Sequence, residues 1–192
     1  AIPYRRTRFH FATVTNGNVA LLQLVRAAGW GLHANTPGDI YLGLHAGFKP
    51  AAIVYSGSNL SRDDMAQVLA WGIATFNLDS LAQLEQLCDL YPTLDSAARQ
   101  PSLRLGLRLN DPALTGDSRI GVRPEDFAAA QSLVARANES TGAPTIKLGG
   151  LHFYRGTGTN ATQAFTQVID RVIELGQRLP DWADLDFGGG FG

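Results

Sequence analysis

The stretch Leu185-Asp186-Phe187-Gly188-Gly189-Gly190-Phe191-Gly192 decides how the chain is read: a short β-type run ends in three consecutive glycines. Glycines at the C-terminal end of a strand let backbone N–H groups come close to an anion, and a following helix would add its N-terminal dipole. Gly188, Gly189 and Gly190 are therefore candidates for a phosphate cradle, and a plain flexible turn would use the same residues. Working backwards, Gly149-Gly150-Leu151-His152-Phe153-Tyr154-Arg155-Gly156-Thr157-Gly158 is a second strand that runs into a Gly-Thr-Gly loop. Thr157 can offer its hydroxyl to the same anion, because phosphate sites in barrels draw on the loops after late strands. Strict alternation puts His152 and Tyr154 on one face of that strand and Lys147 on the other.

Further upstream, short β-type runs alternate with longer helical patterns, the signature of repeated β-α units and a parallel sheet. Seven strands are expected: Arg8 to Val14, Gly31 to Ala34, Ala52 to Tyr55, Ala74 to Leu78, Leu103 to Asn110, Thr145 to Tyr154 and Leu185 to Phe187. Between them, apolar residues recur at helical spacing, as in Leu81, Leu84, Leu87 and Cys88. Thr36-Pro37, Ser61 with Asp64, and Asn160 with Gln163 mark helix starts by capping chemistry. Asn110 to Gly121 reads as the longest irregular stretch, and Thr93 to Pro101 as a polar connector inside one domain spanning 1–192. Seven β-α units fit either a doubly wound sheet or a (β/α)8 barrel, and periodicity does not choose between them.

Composition narrows the function. The 192 residues are 45% hydrophobic and 17% charged, with a formal net charge of -1, so no electrostatic argument favours nucleic acid or an anionic membrane as partner. One cysteine, Cys88, excludes an internal disulfide and a multi-cysteine metal site and suits a reducing cytoplasm. No apolar run reaches the length of a membrane span, and the N-terminus lacks the apolar segment of a signal peptide. The expectation is a cytoplasmic protein that handles a small neutral or zwitterionic ligand.

Among the polar residues, His33 ends the second strand, where barrel enzymes place ligand-contacting groups, although a lone histidine there is more often structural. His10 and His45 stand alone, and the four histidines show no metal-ligand spacing, so no metal is expected. Arg108 lies in the apolar run Leu105-Gly106-Leu107-Arg108-Leu109, either inward with a bound partner or at the sheet surface. Asp63-Asp64, Glu125-Asp126 and Asp184 read as solvated positions rather than an acid/base pair.

Several segments, weak singly, agree in order and spacing. Asn16 to Gly29 resembles an asparagine-rich turn and helix, Asp39-Ile40 to Ala46-Gly47-Phe48 a Glu-Leu...Ala-Gly-Phe helix, and Asn77-Leu78-Asp79-Ser80 an Asn-Val-Asp-Ser segment. Leu107-Arg108-Leu109-Asn110 is similar to Leu-Arg-Val-Asn, and Ser118-Arg119-Ile120-Gly121 to Ser-Lys-Phe-Gly. With the Gly-Gly-Gly-Phe motif, these make the chain from about Ala12 to Gly192 resemble the barrel of the fold-type III pyridoxal-phosphate decarboxylases, the diaminopimelate/ornithine family. The resemblance implies a (β/α)8 TIM-type barrel, truncated after about seven units, that binds pyridoxal 5'-phosphate at the C-terminal ends of its strands. It implies a phosphate held by Gly190 with its neighbours and by Thr157, a small amino-acid substrate decarboxylated at its α-carbon, and a homodimer for the full-length parent. Tyr154 stands where the family stacks a histidine on the pyridine ring, His33 where it has an aspartate, and Arg108 where it keeps an arginine near the cofactor.

The resemblance also exposes a departure. The family's first strand reads Ala-Val-Lys-Ala-Asn, and this chain reads Ala12-Thr13-Val14-Thr15-Asn16, which puts Val14 at the lysine that forms the imine. Valine forms no imine, so no catalytic lysine is assigned. The only lysines are Lys49, expected in a helix-to-strand loop, and Lys147, expected on the wrong face of its strand. The eighth strand and the C-terminal β-domain of the family lie outside this stretch. A non-catalytic homologue or fragment that binds a phosphate-bearing ligand or a protein partner is the alternative.

Overall fold

The computed structural model describes residues 5–95, 99–116, 118–143, 145–154 and 162–189, with side chains in the last stretch described from residue 168 onward. Seven strands, β1 His10–Ala12, β2 Gly31–Ala34, β3 Ile53–Tyr55, β4 Thr75–Leu78, β5 Leu103–Arg108, β6 Ile146–Phe153 and β7 Asp184–Phe187, form one sheet in chain order, every pairing parallel. Helices α1 Val19–Ala27, α2 Pro37–His45, α3 Arg62–Ala70, α4 Leu81–Leu90, α5 Pro112–Thr115, α6 Phe127–Thr141 and α7 Thr162–Gly176 lie between the strands. The sheet curls. His33 on β2 and His152 on β6 bring their ring centroids to 5.7 Å although three strands separate them, whereas a flat sheet would hold them roughly 19 Å apart at ~4.8 Å per strand. This is a (β/α)8-type barrel represented by seven strands, as expected.

Local chemistry sets the element ends. Thr36 accepts from the Asp39 N–H while the Asp39 carboxylate accepts from the Thr36 N–H, a complete capping box at α2. Ser61 caps α3 by accepting from the Asp64 N–H. Asn160 falls outside the described residues. The first strand is shorter than Arg8 to Val14: the Thr13 hydroxyl donates to the His33 carbonyl at 3.1 Å and the Thr15 hydroxyl to the Ala12 carbonyl at 2.7 Å. Those bonds accompany a single 3-10 turn over Thr13–Thr15 where an extended run was expected. The expected irregular stretch after β5 contains α5, and its end returns to the sheet, where the Asn110 N–H donates to the Val122 carbonyl at 3.1 Å and the Val122 N–H to the Arg108 carbonyl at 2.7 Å.

The core lies between the sheet and the helices. Leu32, Phe76, Leu78, Leu103, Leu107, Leu148, Leu151 and Phe153 are fully buried there, each contributing about 1.5–3 kcal/mol of apolar transfer. Parallel pairing carries one face from strand to strand, so the register assigns the opposite, lumen-facing set: His10, His33, Val54, Asn77, Gly106, Arg108, Gly150, His152 and Asp186.

Strand β6 corrects the expected alternation. Leu105 pairs with Leu148 but Gly106 pairs with Gly150, leaving Gly149 as an extra residue. The Asp181 carbonyl fills the space beside it, and a Cβ on Gly149 would stand 1.8 Å from that oxygen. One inserted residue reverses parity, so Lys147, paired with Arg104, shares the lumen face with His152, paired with Arg108.

Candidate functional site

The C-terminal ends of the strands gather polar side chains into the lumen, where His33, His152 and Asp186 come together. One ligand-type atom from each lies within 4.8 Å of the other two. The Asp186 carboxylate accepts from Asn77 Nδ2 at 2.7 Å, and its Oδ2 stands 3.8 Å from His33 Nε2. His152 Nδ1 is 3.5 Å from the Ser56 hydroxyl. The Nε2 atoms of both His33 and His152 are buried without a hydrogen-bond partner, an arrangement that costs free energy unless something occupies the space beside them.

Burial holds both imidazoles neutral. It lowers the pKa of His33 against the opposing pull of Asp186, and it lowers that of His152 to about 4. At neutral pH each ring therefore offers one lone pair. His10, expected to stand alone, also faces the lumen, with its pKa lowered by burial and influenced by the charges of Asp186 and His33.

A second group surrounds the turn after β7. The Arg108 guanidinium carbon lies 5.5 Å from the centroid of the Tyr154 ring, a cation–π geometry. Burial lowers the Arg108 pKa, and the Asp79 carboxylate, which accepts from the Ser58 hydroxyl, works against that. Gly188 backs both groups: a Cβ there would stand 2.6 Å from His152 Nε2 and 3.0 Å from Tyr154 Cβ. Gly189 follows in the left-handed region at φ +93°, where glycine is favoured.

Of the residues singled out in the sequence, the structure brings His33, Arg108, Tyr154, Gly188 and Gly189 to this end of the barrel. Thr157 and Gly190 lie outside the described residues. Val14 sits in the turn after β1 and is 72% exposed. Lys147 shares the lumen face but at the opposite end of β6, where it pairs with Asp181 at 3.5 Å. Lys49 is exposed and precedes the turn Pro50–Ala52 that leads into β3. Sequence reading passed over His152, Asp186, Asn77 and Ser56. The signal that could have found Asp186 and His152 was their shared parity with the candidate site residues at the ends of β6 and β7.

A parallel barrel whose polar residues converge at the C-terminal strand ends, beside a glycine turn after a late strand, is the architecture of enzymes that hold a phosphate-bearing small molecule. More narrowly, the chain belongs to the pyridoxal-dependent decarboxylase family, whose pyridoxal binding domain matches residues 1–192. It is 28% identical over 208 aligned residues to diaminopimelate decarboxylase of Methanothermobacter thermautotrophicus, covering 98% of this chain and 44% of that protein. Two solved structures share the fold. Diaminopimelate decarboxylase of M. jannaschii in complex with L-lysine matches at 20% identity and TM-score 0.73, over 96% of this chain and 44% of its own. The arginine decarboxylase of Paramecium bursaria Chlorella virus bound to agmatine matches at 18% identity and TM-score 0.74, over 97% and 48%. The chain thus spans under half the length of these relatives.

The family's domain binds pyridoxal, and the residues here fit the noncovalent side of such a cofactor. Gly189 leaves open the space a Cβ would fill, Arg108 supplies a cation, and Tyr154 an aromatic face. An amine for an imine is absent from this end of the lumen among the described residues. When bound, the cofactor supplies an electron sink for a carbanion.

Proposed function

We propose that this chain is the cofactor-binding half of an amino-acid decarboxylase of the diaminopimelate or arginine type, and that it holds pyridoxal 5'-phosphate without a lysine imine. The supporting observation is the turn after β7: Gly188 packs closely against His152 and Tyr154, Gly189 leaves the space a Cβ would take open, and Arg108 lies over the tyrosine ring. In this reading the glycine turn from Gly188 to Gly190, with Thr157, receives the phosphate, Tyr154 packs against the pyridine ring, and His33 lies on the far side of the lumen. Val14 takes the place of the family's imine-forming lysine, so tight binding depends on phosphate and ring contacts. A second reading, a non-catalytic homologue that keeps the ligand site, is favoured by Val14 itself.

Comparing pyridoxal phosphate with pyridoxal by equilibrium titration tests the proposal. Saturable binding of the phosphorylated form, at least about tenfold tighter than pyridoxal, is expected from charge-assisted contacts worth about 1.5 kcal/mol or more. Equal, weak binding of both compounds would refute a phosphate cradle.

A further inference from the structure

We propose that His33, His152 and Asp186 form a binding site for a divalent first-row transition metal in the lumen of the barrel. Its ligands come from β2, β6 and β7 and adjoin the glycine turn, where Gly188 packs against His152 Nε2, so the test below is read without pyridoxal phosphate.

Three observations converge on it. First, the donor set is two imidazoles and one carboxylate, with one atom from each within 4.8 Å of the others. Bond lengths of about 2.0–2.2 Å require ligand atoms roughly 3.0–3.5 Å apart, so the 3.8 Å separation of His33 Nε2 and Asp186 Oδ2 needs only a small closure. Second, His152 is only 4% exposed and carries a partnerless Nε2, as does His33. A buried ring nitrogen without a partner is the exception in a folded protein, and a metal ion is one occupant that removes the cost. Third, the ligands are already oriented from behind: Asn77 holds the Asp186 carboxylate at 2.7 Å, and Ser56 contacts the Nδ1 of His152 at 3.5 Å. Outer partners of this kind fix the rotamer and tautomer of ligating groups.

The chemistry selects the class of ion. Two nitrogen donors favour zinc, iron, cobalt or nickel over magnesium and calcium, which prefer all-oxygen sites. No thiolate takes part, since Cys88 lies on α4 outside the lumen. Three protein ligands leave at least one coordination position for water or an exogenous ligand, as in catalytic rather than structural zinc sites.

The test uses tag-free protein stripped with chelator, in the absence of pyridoxal phosphate, titrated with Zn²⁺ by calorimetry and with Co²⁺ by visible absorption. Expected are a 1:1 stoichiometry and cobalt d–d bands of four- or five-coordinate intensity. His33→Gln and Asp186→Asn should each weaken Zn²⁺ binding by at least about 100-fold, a loss on the scale of a whole ligand rather than an outer partner. Both positions are partly exposed, so the variants should keep the parent circular dichroism spectrum, and His152→Gln serves only as a third check because of its burial. Unchanged Zn²⁺ affinity in His33→Gln and Asp186→Asn would overturn the proposal, as would failure of the parent to bind either ion.

Discussion

The two faces of the sheet differ in kind. Against the helices stand Leu32, Phe76, Leu105, Leu148, Leu151 and Phe153, all buried and all apolar. Toward the lumen stand His33, Asn77, Arg108, His152 and Asp186, where Asn77 and His33 contact the Asp186 carboxylate and two buried ring nitrogens stay unsatisfied. Stability resides on the first face and chemistry on the second, and a single inserted glycine, Gly149, decides which residues of β6 belong to which. Lys147 shares a face with the site and yet lies at the wrong end of the barrel. Parity and depth are thus separate conditions for reaching a site.

The largest expected effect is on the helix side. Leu148→Ala removes a fully buried side chain and should cost about 3 kcal/mol, read as a shift in the urea midpoint at constant slope. Gly149→Ala should cost about 3 kcal/mol by forcing the Asp181 backbone away. His33→Gln on the lumen side should stay within about 1 kcal/mol. Comparable losses on both faces would break the division.

Val14→Lys is the sharpest functional probe. Val14 is 72% exposed, so the change should leave stability within about 0.5 kcal/mol. The variant should form a borohydride-reducible adduct with pyridoxal phosphate that the parent does not form, located by mass spectrometry at position 14. Absence of that adduct would mean that the turn after β1 does not face the cofactor.

Smaller effects sharpen the picture. Tyr154→Ala should weaken pyridoxal phosphate binding about tenfold, or about 1.4 kcal/mol, whereas Tyr154→Phe should stay within about threefold because the aromatic face remains. On the helix side, burial raises the Cys88 thiol from 9.0 to about 12. A raised acid pKa favours folding fully below pH 9 and loses that contribution as pH rises toward about 12. Cys88 should therefore resist alkylation at pH 8 in the native protein and react readily in urea.

The fold was legible in the sequence because helix-facing apolar residues recur at alternate positions, as Leu103, Leu105, Leu107 and Leu109 do, and because helix starts carry capping residues such as Thr36 and Ser61. Gly31 to Ala34 matches β2 at both ends, whereas β1 is cut short by hydroxyl bonds from Thr13 and Thr15 that alternation does not reveal. The Gly149 insertion escaped for a related reason: Gly149-Gly150 reads as two ordinary strand positions until the partner strand shows that only one is paired. The site was half legible. Glycines, Arg108 and His33 were singled out from the sequence, but that His33 meets His152 and Asp186 follows only from the curl of the sheet, which no spacing along the chain encodes.

Noncovalent binding of pyridoxal phosphate at the glycine turn is tested by borohydride reduction of the saturated wild-type protein followed by peptide mass mapping. Saturable binding with neither Lys49 nor Lys147 modified in stoichiometric amount is expected; a stoichiometric adduct on either lysine, or no binding at all, would rule this mode of binding out.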